Sequence, residues 1–171
     1  MKPLNQNDVA NYFFSLDPDR KLFNQKLIKK NGSTFYEGNA RLNKYLHLSQ
    51  NIYLAMTGNL LIDTSFYAYA NGAVIPSIQR DYRILSVSAK DADVSMIPEA
   101  VKVFLKKIYK AFETADIDEI IDIDHEDEAW IEKCNNRNYE EQKIDTLKYR
   151  EKYKVQYKDM IKVLGRMAVW V

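Results

Sequence analysis

The sequence predicts a mainly α fold, a single compact helical domain with a minor short β element, and three observations carry that expectation. Apolar side chains recur at helical spacing through Leu42, Tyr45, Leu46, Ser49, Tyr53 and Met56, widened by Leu48 and Ile52. The stretch from Ala40 to Thr57 therefore reads as one central helix, which Gly58 stops. Pro98-Glu99 opens another helix, with Val101, Phe104, Leu105, Ile108 and Phe112 inward and Lys102, Lys106, Lys107 and Lys110 outward. Asp116, with Glu119 three residues on, has capping-box spacing and starts a helix carrying Ile117, Ile120 and Ile121. The β element comes from the alternation between Asp63 and Ala70 and centres on Ser65 to Tyr69.

The remaining elements follow in chain order. Asn7 or Asp8 caps a first helix with Val9, Phe13 and Leu16 on one face, and Asp17-Pro18-Asp19 ends it. Leu22, Phe23 and Leu27 suit a short second helix closing at Asn31-Gly32, yet the same pair equally turns a β-hairpin, and the segment stays open between the two. On the central helix, the arc opposite the apolar face holds Asn43, Lys44, His47, Gln50 and Asn51 and is expected to face water or a partner. After Asn71-Gly72, Pro76 opens a helix with Ile78, Tyr82 and Leu85 on one side, and Val87 to Val94 reads as loop. A helix after His125 includes Trp130 and Ile131. In the last third, near-alternation of Leu147, Tyr149, Tyr153, Val155 and Tyr157 competes with the helical recurrence of Tyr157, Ile161, Leu164 and Ala168; the end reads as helix.

Composition narrows the function classes. A chain of 171 residues, 46% hydrophobic and 29% charged, can bury one real core but is cramped for two, and no repeat or linker divides it. Lys+Arg at 25 against Asp+Glu at 24 gives no global pull toward nucleic acid or a membrane surface. Cys134 is the only cysteine, which rules out an internal disulfide or a multi-cysteine zinc site and fits a reducing compartment. Met1 to Asp8 holds no apolar signal core and no run approaches the roughly 20 apolar residues a bilayer requires, so a cytoplasmic protein without a membrane partner is expected.

Three motifs make the chain specific. Leu42-Asn43-Lys44-Tyr45-Leu46-His47-Leu48-Ser49-Gln50 is followed by Ala68-Tyr69-Ala70-Asn71-Gly72-Ala73-Val74-Ile75-Pro76, and then by His125-Glu126-Asp127-Glu128-Ala129-Trp130. In this order they resemble the Panacea family, which includes SocA-like and GepA-like phage-associated proteins. That family shows a helix written roughly L-x-K-L-L-Y-x-A-Q, a small-or-aromatic run ending in Gly-Pro-Val, and a histidine five residues before a tryptophan that proline precedes. Leu42, Lys44, Gln50, Gly72, Val74, His125 and Trp130 fit the pattern, and Tyr45 is a motif position where the pattern has leucine; Ala73 and Ala129 stand where proline is usual. The likeness spans roughly residues 7–130. It implies a helical domain found in antitoxins, each neutralising a protein toxin encoded beside it by direct contact. Some relatives also present their partner to a protease. No catalytic group and no cofactor is implied.

Each motif also has a plain structural reading. Asn71-Gly72 supplies positive φ in a turn, and it lacks the lysine and repeated glycines of a phosphate loop. His125 and Trp130 are read first as a helix-junction tether and a core filler, second as partner contacts. The zinc-peptidase pattern is broken at Ala129, and the acidic run from Glu113 to Glu128 lacks the glycine a calcium loop needs. Candidate partner contacts are Asn43, Lys44, His47 and Gln50 on the helix arc and Asp122, Glu126 and Asp127 in the acidic segment. Lys102, Lys106, Lys107, Lys110, Lys148, Arg150, Lys152, Lys154 and Lys158 give the alternative, a nucleic-acid-binding regulator of a phage or mobile element. Catalysis is least favoured, since neither His47, His125 nor Cys134 belongs to a nucleophile motif.

Overall fold

The fold is that of a computed structural model describing residues 1–83 and 93–165; Leu85, all but the end of the Val87 to Val94 loop, and Ala168 lie outside the described residues. Helix α1 (Gln6–Leu16) starts earlier than the sequence suggests, because the Asn5 side chain accepts from the Asn7 N–H. The segment left open resolves into a loop and a hairpin. The Asp17 carboxylate captures the N–H groups of Lys21, Leu22 and Phe23, which takes those donors from any helix. Asn31 and Gly32 then adopt φ of 52° and 77°, the two left-handed positions of a tight hairpin turn joining β1 (Leu27–Lys30) to β2 (Ser33–Tyr36).

Helix α2 (Glu37–Thr57) runs for 21 residues and ends at Gly58, whose φ of 77° lets its N–H return to the Leu54 carbonyl. The β element is a hairpin of β3 (Tyr67–Tyr69) and β4 (Gly72–Val74), shorter and later than Ser65 to Tyr69 because pairing begins only at Tyr67. Next come α3 (Pro76–Asp81), α4 (Glu99–Phe112), α5 (Ile117–His125) and α6 (Glu128–Lys133). Asp116 caps α5 by accepting from the Glu119 N–H at 2.9 Å, as the spacing predicts. Two 3-10 turns lead into α7 (Arg150–Gln156) and α8 (Lys158–Gly165), so the helical end is broken at Tyr157.

One continuous core holds these elements, from Val9 of α1 to Leu164 of α8. Phe13, Phe14, Phe23, Tyr45 and Tyr109 pack ring against ring beside α2, several of them edge to face. Helix α2 touches α1, α3, α4, α5, α7, α8 and both hairpins, and it is enclosed all round. This overturns the expectation of a solvent-facing arc. Asn43, Lys44 and Gln50 are 1% exposed, and His47 and Asn51 are fully buried. The polar arc is interior because α5, α7, β4 and the Asp127 cap of α6 lie over it with polar groups of their own. No helix among the described residues is long and apolar enough to cross a membrane.

Candidate functional site

The buried polar groups beneath β4 begin with a strand edge. In a two-residue hairpin the residues next to the turn, Tyr69 and Gly72, exchange ladder hydrogen bonds, so the following pair, Ala68 and Ala73, points its N–H and C=O groups outward. Beyond Ala73 there is no third strand among the described residues. Instead the Asp124 carboxylate of α5 accepts the Ala73 N–H at 2.9 Å, and the Lys44 ammonium of α2 donates to the Ala73 carbonyl at 2.9 Å. The two side chains lie 3.4 Å apart and together stand in for the missing neighbour strand. Asn43 extends the substitution by accepting the Ile75 N–H, while its own amide donates to the Asn39 carbonyl.

Gly72 makes this approach feasible. Its φ is 111°, and a Cβ there would meet Asp124 Oδ2 at 2.5 Å and Lys44 Cε at 2.7 Å. The glycine is therefore required twice over, by backbone angle and by space.

His47 continues the network one turn along α2. Its Nδ1 lies 2.7 Å from Asp124 Oδ1, its Nε2 lies 3.2 Å from Asp127 Oδ2, and the Asn51 amide is 3.1 Å from Nε2. Asp127 also caps α6 through the Ala129 N–H and accepts from the Tyr153 hydroxyl of α7 at 3.3 Å. Burial pulls the His47 pKa down, but the charges and hydrogen bonds of Asp124 and Asp127 outweigh it and push it up to about 9, so the ring is an imidazolium at neutral pH. Burial pushes Asp124 up, yet His47, Lys44 and the Ala73 N–H hold it below its ordinary value. Burial lowers Lys44 in spite of Asp124. Burial and the nearby aspartates raise Tyr153 and Tyr157, so both phenols stay protonated. His47 and Lys44 thus face Asp124 and Asp127 in a sealed, internally balanced cluster that ties α2, β4, α5, α6 and α7 to one another.

The other motif residues surround the cluster. Leu42, Tyr45 and Val74 are buried, and the Gln50 amide accepts the Leu61 and Ile62 N–H groups while donating to the Ile62 carbonyl. His125 stacks on Trp130 with centroids 4.3 Å apart; its Nε2–H reaches the Ala70 carbonyl and the indole donates to the Tyr69 carbonyl at 2.8 Å. The pair clamps the β3–β4 turn, and Trp130 sits partly buried at the core edge rather than deep inside it.

Of the candidate partner contacts, Asp122 and Glu126 are exposed. Asn43, Lys44, His47, Gln50 and Asp127 are not available to a partner, because each is buried and engaged. The sequence reading missed Asp124, which lies 77 residues from His47. A signal was present: Lys44 and His47 are three apart on one helix, and Asp124 and Asp127 repeat that spacing around the motif histidine.

Ala73 and Ala129, the two departures from the family's prolines, supply the two backbone N–H donors to these aspartates. Proline could make neither bond. Among the described residues no group of three or more His, Cys, Asp or Glu side chains is arranged to hold a metal ion.

Residues 42–131 match the family model described as antitoxin SocA-like, Panacea domain, a span that runs from the first motif residue to the helix that carries Trp130. No curated protein and no solved structure matches the chain. The match covers just over half of the sequence and takes in Lys44, His47, Gly72, Asp124, Asp127 and Trp130, so the chain belongs to the antitoxin SocA-like, Panacea domain family.

Proposed function

We propose that this chain is an antitoxin that neutralises a protein toxin by direct complex formation, without chemistry of its own, and that the toxin is encoded beside it. The family match over residues 42–131 carries this reading. The burial of the motif supports it from a second side: Lys44, Gln50, Gly72 and their partners are committed to the interior, which leaves recognition to the outer surface. On that surface Asp122 and Glu126 join Glu119 along α5, with Asp118 beside them paired to Lys30, an acidic face suited to steering a basic toxin. The regulator reading loses ground because Lys102, Lys110, Lys148, Lys152 and Lys154 each sit beside a carboxylate, which blunts the basic stripes a phosphate backbone needs. Delivery of the bound toxin to a protease is the finer part of the proposal.

Co-expression tests it. With the small protein encoded next to this chain, growth arrest should be relieved and the two proteins should co-purify in fixed ratio. Persistent arrest despite a soluble, folded chain would overturn the reading, as would retention on DNA at physiological salt without a protein partner. A toxin half-life shortened only when the chain is present would support delivery to a protease; relief of arrest at an unchanged toxin level would mean blocking alone.

A further inference from the structure

One edge of β2 has no partner strand among the described residues and lies beside an open groove. In the β1–β2 hairpin the Glu37 N–H donates to the Lys26 carbonyl, so in an alternating antiparallel ladder the next pairs toward the turn that bond are Ile28 with Phe35 and Lys30 with Ser33. Thr34 and Tyr36 therefore direct their backbone groups away from β1. The Tyr36 carbonyl is taken by the first turn of α2, which leaves the Thr34 N–H, the Thr34 C=O and the Tyr36 N–H. None of these three has a hydrogen bond among the described residues.

Two hollows of about 440 and 220 Å³ meet along Thr34, Phe35 and Gln79 beside this edge. Phe35 is half-buried there and offers an apolar floor. Arg80 and Arg83 flank the larger hollow, with the Arg83 guanidinium 6.0 Å from the centre of the Tyr36 ring. No carboxylate lines either hollow among the described residues. Arg80 shares its charge with Asp81 at 2.8 Å, but Arg83 has no ion pair among the described residues.

We propose that this groove binds an extended segment of the partner protein, which adds as a strand along Thr34 to Tyr36 and places an acidic side chain against Arg83. Donors and acceptors at strand spacing, without partners among the described residues, select an extended backbone, alternate side chains fall toward Phe35, and the arginines select the charge. The toxin as source of that segment rests on the antitoxin reading; the peptide site itself does not.

Proline is the direct probe, because at Thr34 it deletes an N–H that the hairpin does not use. Random linear phage-displayed peptides are selected on the folded full chain. Sequences with alternating apolar residues and a carboxylate should be enriched, and their affinity should fall ~10-fold or more in Thr34→Pro and in Arg83→Glu, each with a near-wild-type melting midpoint. Lys29→Pro, on the opposite edge, should bind them normally. Failure to enrich linear peptides, or equal binding by wild type, Thr34→Pro and Arg83→Glu, overturns the proposal. Competition separates the two readings. Peptides that displace a neutralised toxin support the groove as its contact, and peptides that bind without displacing it remove the toxin as the occupant. Peptide binding with no toxin neutralised anywhere leaves the groove standing and sinks the antitoxin reading.

Discussion

At the scale of single residues, the motif positions are explained by contacts with each other. Gly72→Val adds a side chain where φ is 111° and where Asp124 and Lys44 already fill the space. It should lower stability by about 3 kcal/mol or more, since backbone strain and disruption of a buried ion pair act together, and a thermal melt should show a drop of roughly 10 °C. An unchanged midpoint would show that neither the angle nor the space matters. Ala73→Pro isolates a smaller effect. It removes the N–H that Asp124 accepts at 2.9 Å and sets the proline ring against that carboxylate, and the expected loss is about 1.5–3 kcal/mol or more by chemical denaturation. Stability equal to wild type would mean that Lys44 and His47 alone satisfy Asp124. Both effects follow from residues that were legible in the sequence as motif members. Their reason was not legible, because a partner such as Asp124 is chosen by the fold and not by distance along the chain.

Among elements, legibility tracked the strength of the local signal. Helices α2, α4 and α5 could be read from apolar period and caps, since those are properties of neighbouring residues. The β1–β2 hairpin stayed ambiguous because Asn31-Gly32 suits both a helix end and a turn; the deciding fact, Asp17 holding the N–H groups of Lys21, Leu22 and Phe23, is a local side-chain capture that apolar spacing does not register. The solvent-facing arc of α2 was misread for a different reason, since what covers it is distant in sequence. Polarity signals water only when no other polar surface covers it, and here α5, α7, β4 and the Asp127 cap of α6 do so. His47 links these elements, and its linkage has a sign. Its pKa is near 9 when folded against 6.5 when free, so the protonated form is favoured in the fold. The contribution, about 3 kcal/mol at 1.36 kcal/mol per pKa unit, is fully present below about pH 6.5 and is lost as pH rises through 9. Denaturation midpoints of wild type should fall across that window, and those of His47→Gln should be lower at pH 6 and flatter above it. Parallel curves for the two proteins would show that His47 is not the linked group.

For the whole molecule, the buried cluster maintains the fold, and the exterior is where the proposed partner would bind. The interior cluster spans α2, β4, α5, α6 and α7, so damage to it should reach every function through stability alone. The exterior offers the acidic face of α5 and the open edge of β2, and changes there should alter binding while leaving the melt in place. The affinity of folded Lys44→Met for the toxin tests this separation most directly, measured well below that variant's melting temperature. Removing one member of a buried pair should cost about 3–5 kcal/mol of stability, which lowers the midpoint and reduces protection in cells. Per folded molecule, toxin affinity should equal that of wild type. A tenfold or greater loss of affinity in a fully folded Lys44→Met sample would contradict the account, because it would place the cluster in the recognition machinery rather than in the frame that holds it.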